Sequence, residues 1–106
     1  MPIGFGRVSV DGVMLDDPYD DRIEMFARFE IISDRGSRYS FERVSSRRWH
    51  VSRIETGSIA PLGHVTREGT VLNFRYGYKR ADRWLSAGWQ NGFMNACFGL
   101  IGELEA

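Results

Sequence analysis

Along RIEMFARFEIISD, residues 22–34, Ile23, Met25, Ala27, Phe29 and Ile31 occupy odd positions, while Arg22, Glu24, Arg28 and Glu30 occupy even ones. Apolar and polar side chains that alternate with a period of two describe a strand with one wetted face. Phe26 and Ile32 interrupt the wet face and indicate a second, partial burial there. The segment that follows, Asp34-Arg35-Gly36, reads as a three-residue hairpin loop with Gly36 at the left-handed position such loops require. That loop length sets Ile31 opposite Tyr39 and Phe29 opposite Phe41 on the inner face, and Arg28 opposite Glu42 on the outer face. A two-residue loop would set inner residues against outer ones, so the pattern selects the longer loop.

The same device recurs along the chain. RWHVSRIE, residues 48–55, predicts a returning strand after the turn VSSR, with Val51 facing Phe41. VSVDGVML places Asp-Gly between two short apolar runs, a hairpin signal. In HVTREGTVLNFRYGY the turn falls at Arg67-Glu68-Gly69, and Leu72, Phe74, Tyr76 and Tyr78 alternate inward. Pro61-Leu62-Gly63 reads as a connection or an edge, because proline cannot donate to a ladder. DDPYDD, residues 16–21, reads as a polar loop.

Between Arg83 and Glu103 nineteen residues carry no formal charge. Placed on a helical wheel, residues 85–104 gather Leu85, Trp89, Phe93, Ala96, Cys97 and Leu100 on one arc and Met94, Phe98 and Ile101 on a second. Glycines and asparagines fill the rest, and the apolar arc exceeds the third of a circumference that a helix lying on a sheet needs. A membrane span is disfavoured by Gln90, Asn91 and Asn95, each costly in hydrocarbon. Two readings remain: a core helix whose second arc lies under a loop, or one whose second arc meets another chain. The segment could also break near Asn91-Gly92. These elements predict an α+β fold, an antiparallel meander sheet of about five to six strands packed by one C-terminal helix, in a single domain over residues 1–106.

Charge changes this picture more than composition does. The formal net charge is zero, yet residues 1–34 hold eight acids against three arginines, and residues 35–53 hold six arginines against one glutamate. A chain without net charge exerts no overall pull on nucleic acid or membrane. Thirteen of the fourteen basic residues are Arg, which favours forked and stacked contacts. The one cysteine, Cys97, excludes an internal disulfide and a multi-cysteine metal site, and points to a reducing, cytoplasmic setting. The start, MPIGFGRVSVDG, lacks the charged and apolar regions of a secretory leader.

Candidate chemistry is sparse. Arg43, Arg47, Arg48, Trp49, His50 and Arg53 form the one basic and aromatic cluster. Arg and Trp are typical interface anchors, so the cluster suits a protein partner with an acidic surface. Read as a phosphate and base platform it would suit nucleic acid, and read as neither it is a solvated strand face balancing the acidic N-terminal third. DDPYDD lacks the alternation and turn glycine of a calcium loop. Cys97 with His50 or His64 has no evident orienting third residue, and two His with one Cys make a poor metal set. No phosphate-binding or dinucleotide loop is present in the sequence. The expectation is therefore a protein without catalytic residues, cofactor or metal. It would be a small accessory or inhibitory module of the kind bacteria and phages encode, occupying a partner's surface. Its contacts would be the Arg-Trp strand and the helix arc Met94, Phe98 and Ile101, the latter also serving a homodimer. Nucleic-acid binding on the Arg/aromatic strand face is the second reading.

Overall fold

The structure, a computed structural model, describes residues 6–77, 83–88 and 92–106. Tyr78, Trp89, Gln90 and Asn91, which enter the expectations above, lie outside the described residues, as do residues 1–5. The chain runs β1 (Arg7–Val10), β2 (Val13–Met14), a 3-10 turn (Asp21–Met25), β3 (Arg28–Ile32), β4 (Arg38–Ser45), β5 (Arg48–Glu55), β6 (Ser58–Glu68), β7 (Val71–Tyr76), β8 (Arg83–Gly88) and α1 (Phe93–Leu104). All eight strands join one antiparallel sheet in the order β2-β1-β3-β4-β5-β6-β7-β8. The fold is thus α+β with an open antiparallel sheet and one C-terminal helix, but with eight strands rather than five or six.

The β3–β4 hairpin keeps the expected register. Ile31 pairs with Tyr39, Phe29 with Phe41 and Arg28 with Glu42. Gly36 takes φ 83° and donates its N–H to the Ser33 carbonyl at 2.9 Å, closing the loop Asp34-Arg35-Gly36. Phe41 also pairs with Val51, and the rings of Phe29 and Phe41 stack with centroids 4.9 Å apart.

Four elements differ from the expectation. Residues 22–27 are not strand. Asp20 accepts the Arg22 N–H through its side chain and starts the 3-10 turn, so Ile23 reaches the core while Met25 stays two-thirds exposed. Local capping by an aspartate outcompetes the ladder there. Glu24 of that turn pairs with Arg67 of β6 at 2.7 Å and holds it down. The second difference is at the β6–β7 turn, where Glu68 pairs with Val71, so the loop is the two residues Gly69-Thr70.

Third, Pro61-Leu62-Gly63 is not a connection but lies inside β6; Pro61 pairs with β5 alone, an edge position among the described residues, and the ladder to β7 starts at Gly63. Val51 pairs with Gly63 and Ser52 with Pro61, leaving Leu62 as the extra residue of a bulge. A bulge, and a stretch paired on one side only, are places where a sheet tolerates proline. Gly63 is required by proximity: a Cβ there would collide with the Arg75 carbonyl and stand 2.7 Å from the Tyr76 Cα.

Fourth, the uncharged segment divides. Residues 83–88 form β8, with Leu85 opposite Phe74 and Ala87 opposite Leu72. The helix begins at Phe93, where the Asp21 carboxylate lies against Gly92. An anion at a helix N-terminus is favoured by the peptide dipoles.

The core sits on one face of the sheet, under α1 and the 3-10 turn. Phe93 is its keystone, edge-on to Phe29 at 6.1 Å and tilted on Trp49 at 4.8 Å. Met94, Phe98 and Ile101, expected to face outward, are buried by the chain itself, at 0, 6 and 3% exposure. Tyr19 of the acidic loop packs on Phe98 at 5.3 Å, so part of the second arc lies beneath a loop. What remains exposed on the helix is Asn95, Gly99, Gly102 and Glu103. Leu104 and Glu105 are half-buried, and Glu105 accepts the Tyr39 hydroxyl at 2.8 Å, tying the helix end to β4. No helix among the described residues is long and apolar enough to cross a membrane.

Candidate binding face

Alternation divides the basic cluster between two sides of the sheet. On β5, Trp49 and Val51 point toward α1, and Arg48 and His50 point away. Trp49 is fully buried against Phe93, and its Nε1 has no hydrogen-bond partner. It is a core residue, which corrects its expected role as an exposed anchor. Arg43, opposite Trp49, lies half-buried beside Met25 and Val44, with its Nε buried and unpaired. Arg47 is exposed in the β4–β5 turn, where its N–H donates to Ser45 Oγ at 3.3 Å. Arg53 pairs across the ladder with Tyr39 on the helix side, reaches Ser37 Oγ at 3.5 Å and stays exposed. Of the six residues named from the sequence, Arg48 and His50 share the helix-free face.

That face gathers partners that sequence proximity does not suggest. The cross-strand register runs Arg28, Glu42, His50, His64, Arg75 along one row. The neighbouring row runs Arg48, Thr66, Asn73, Ser86. The His50 and His64 rings lie 6.1 Å apart. Arg48, His64, Thr66, Glu68, Asn73 and Arg75 line a depression of about 380 Å³. Its polar belt is partly self-satisfied: the Asn73 amide donates to the Glu68 carboxylate, and the Ser86 hydroxyl donates to Asn73 Oδ1 at 2.7 Å.

The electrostatics of the depression are uneven. Ion pairs hold Arg22 to Asp20, Arg28 to Glu42, Arg38 to Glu30 and Arg67 to Glu24, and none among the described residues holds Arg48 or Arg75. Burial holds His64 below the usual imidazole range, and the charges of Arg48, His50 and Arg75 push in the same direction. His64 is therefore a neutral group set among cations at neutral pH.

His64, Thr66, Asn73 and Arg75 escaped the sequence reading as a group. Their signal was present as the outward positions between Val65, Leu72 and Phe74, and joining them to Arg48 needed the β5–β6–β7 register. Cys97, by contrast, is buried in the core on the helix side, where burial raises its thiol well above the ordinary range. The sheet separates it from both histidines, so no nucleophile–base pair forms. Among the described residues no group of three or more His, Cys, Asp or Glu is placed to hold a metal ion. The acidic loop instead works locally: Asp20 holds Arg22 through three side-chain hydrogen bonds, and that pairing lowers its carboxyl to about 2. No family model matches the chain, and no curated protein or solved structure matches it.

Proposed function

We propose that this chain is a non-enzymatic binding module whose helix-free sheet face docks an acidic segment of a protein partner and acts by occupying that surface. The observation that carries the reading is the pair Arg48 and Arg75, solvent-facing on adjacent rows and without a carboxylate partner among the described residues. A guanidinium with unused donors offers forked hydrogen bonds to carboxylate. The interspersed Glu42 and Glu68 favour a partner of mixed, complementary charge over a uniform phosphate backbone. Trp49, the aromatic on which a base would stack, is in the core, and the central β5–β7 positions of this face offer imidazoles in its place. The zero net charge points the same way. The helix contributes little to docking in this reading, because Met94, Phe98 and Ile101 are already covered.

The test compares partner capture from host extract by the native chain and by Arg48→Glu/Arg75→Glu, with each recovered protein then purified and titrated directly. The variant is expected to stay folded by circular dichroism and to lose a partner that the native chain binds. Equal direct affinity for the two chains would remove this face from the reading. Retention of a single-stranded oligonucleotide that falls steeply with added salt would replace the protein partner with nucleic acid.

A further inference from the structure

We infer that the depression between β5, β6 and β7, rimmed by Arg48, His64, Thr66 and Arg75, is an oxyanion site that receives one phosphoryl or carboxylate group of the acidic ligand. This rests on the reading of the helix-free face as the docking surface, and it names the chemistry at the centre of that face.

Three observations converge on it. The register places His50, His64 and Arg75 directly opposite one another on successive strands, with Arg48 on the next row. Directly opposed side chains in antiparallel strands stand about 5 Å apart at Cβ, where like charges oppose pairing. Such a row costs stability when charged unless an anion offsets it. Farther along the same row the conflict is settled internally, since Arg28 and Glu42 pair at 3.2 Å. At Arg75 and Arg48 no carboxylate among the described residues does this. Space is the second observation: a depression of about 380 Å³ has room for a tetrahedral or planar oxyanion together with bridging water.

The third is selectivity for a single charge centre. Glu68 faces the depression from β6, its carboxylate held by the Asn73 amide. It opposes a second anionic group on that side and leaves the Arg48, His64 and Arg75 side open. The Thr66 hydroxyl, between Arg48 and Asn73 in the register, adds a neutral donor. Arg48 and His50 face His64 from β5, Arg75 from β7, Glu68 from its own strand, and Glu42 stands beyond His50 on β4. An anion seated among these cations favours the imidazolium form of His64. Binding and proton uptake at His64 are then reciprocally linked: affinity for a carboxylate rises as pH falls toward the depressed value of His64, whereas a phosphoryl group takes up its own second proton near about 6 and offsets part of that gain.

Inorganic phosphate and, in a separate arm, acetate are titrated into the full chain while the imidazole resonances of His50 and His64 are followed by NMR across pH. The expected result is a saturating shift at His64 whose titration midpoint rises when the anion is bound. Arg75→Gln and Arg48→Gln should each weaken that binding about tenfold, the value of one charge-assisted hydrogen bond. Arg22→Gln, whose guanidinium is held by Asp20, should leave it unchanged. Saturation by phosphate alone identifies a phosphoryl group, and saturation by acetate as well identifies a carboxylate. A His64 shift that grows linearly with both anions, or a saturation that survives Arg48→Gln/Arg75→Gln, overturns the site. Should the anion bind while charge reversal leaves partner affinity intact, the site stands and the docking reading falls.

Discussion

The two faces of one sheet solve opposite problems, and β5 shows both within four residues. Trp49 and Val51 are wholly buried under Phe93 and its neighbours, while Arg48 and His50, alternating with them, stand in solvent. On the helix side, aromatic rings meet in stacked and edge-on geometry, and the tie at the helix end, Tyr39 to Glu105, is satisfied. On the open side, cations are set opposite groups that repel them once protonated. The contrast teaches where stability and binding are separable in this molecule. Interior packing is sensitive to single atoms, whereas surface changes away from buried partners cost little. In the middle of β5, from Arg48 to Val51, a residue's contribution therefore follows its parity along the strand.

Three measurements can break or sharpen that contrast. The largest effect belongs to Phe93→Ala, which empties the contact shared by Phe29 and Trp49 and should cost about 3–5 kcal/mol in chemical denaturation. A loss below about 1 kcal/mol, typical of surface positions, would show that the helix side is not the stabilising one.

An intermediate effect is expected at Tyr39. Burial, and then its hydrogen bond to Glu105, push the phenol up to about 12. The folded chain holds this proton more tightly than the unfolded chain, whose phenol titrates near 10. The contribution of Tyr39 is therefore complete below about pH 10 and is lost as pH rises from there toward 12. Tyr39→Phe should lower stability at neutral pH by about 1.5–3 kcal/mol, the range for hydrogen bonds to charged groups. It should also flatten the alkaline slope in urea midpoints measured across that range. An unchanged slope would place the alkaline transition elsewhere.

The smallest effect is expected on the open face, where Arg48→Ala/Arg75→Ala should leave stability within about 0.5 kcal/mol of the native chain at low salt. The sign should turn toward stabilisation as pH falls and His64 protonates. Burial first, and then the neighbouring cations, hold His64 below its ordinary value in the fold, so its contribution is present above about 6.5 and is lost as pH falls, and removing Arg48 and Arg75 relieves the part that is due to their charge. Destabilisation by this pair comparable to Phe93→Ala would mean that the face is structural rather than available.

Much of the β3–β4 hairpin was legible because strand parity and loop chemistry agree. Phe29, Ile31, Tyr39 and Phe41 must share one side, and Gly36 supplies the left-handed residue that a three-residue loop needs. Residues 83–88 were illegible for the opposite reason. Leu85 and Ala87 satisfy a period of two, yet Leu85 and Phe93 also fall on one helical stripe, so a short apolar run fits both patterns. The ladder to β7 decides between them. The 3-10 turn at Asp21–Met25 likewise follows from the cap that Asp20 makes, not from the alternation on which Met25 and Ala27 happen to fall. For the candidate site, Arg48 and His50 were visible as a local cluster, but their partners His64 and Arg75 lie one and two strands away.

By itself the sequence determined that Phe29, Ile31, Tyr39 and Phe41 share one side, where the β3–β4 hairpin turns, and that the end of the chain is an apolar helix. Those follow from local backbone periodicity and from residues, such as Gly36, that can adopt what others cannot. The tertiary structure alone decided that Trp49 is core, that Met94, Phe98 and Ile101 are covered, and that Arg48, His64 and Arg75 rim one depression. The physical reason is that burial and charge neighbourhood depend on the register between strands far apart in sequence, and on which loop lies over which helix face.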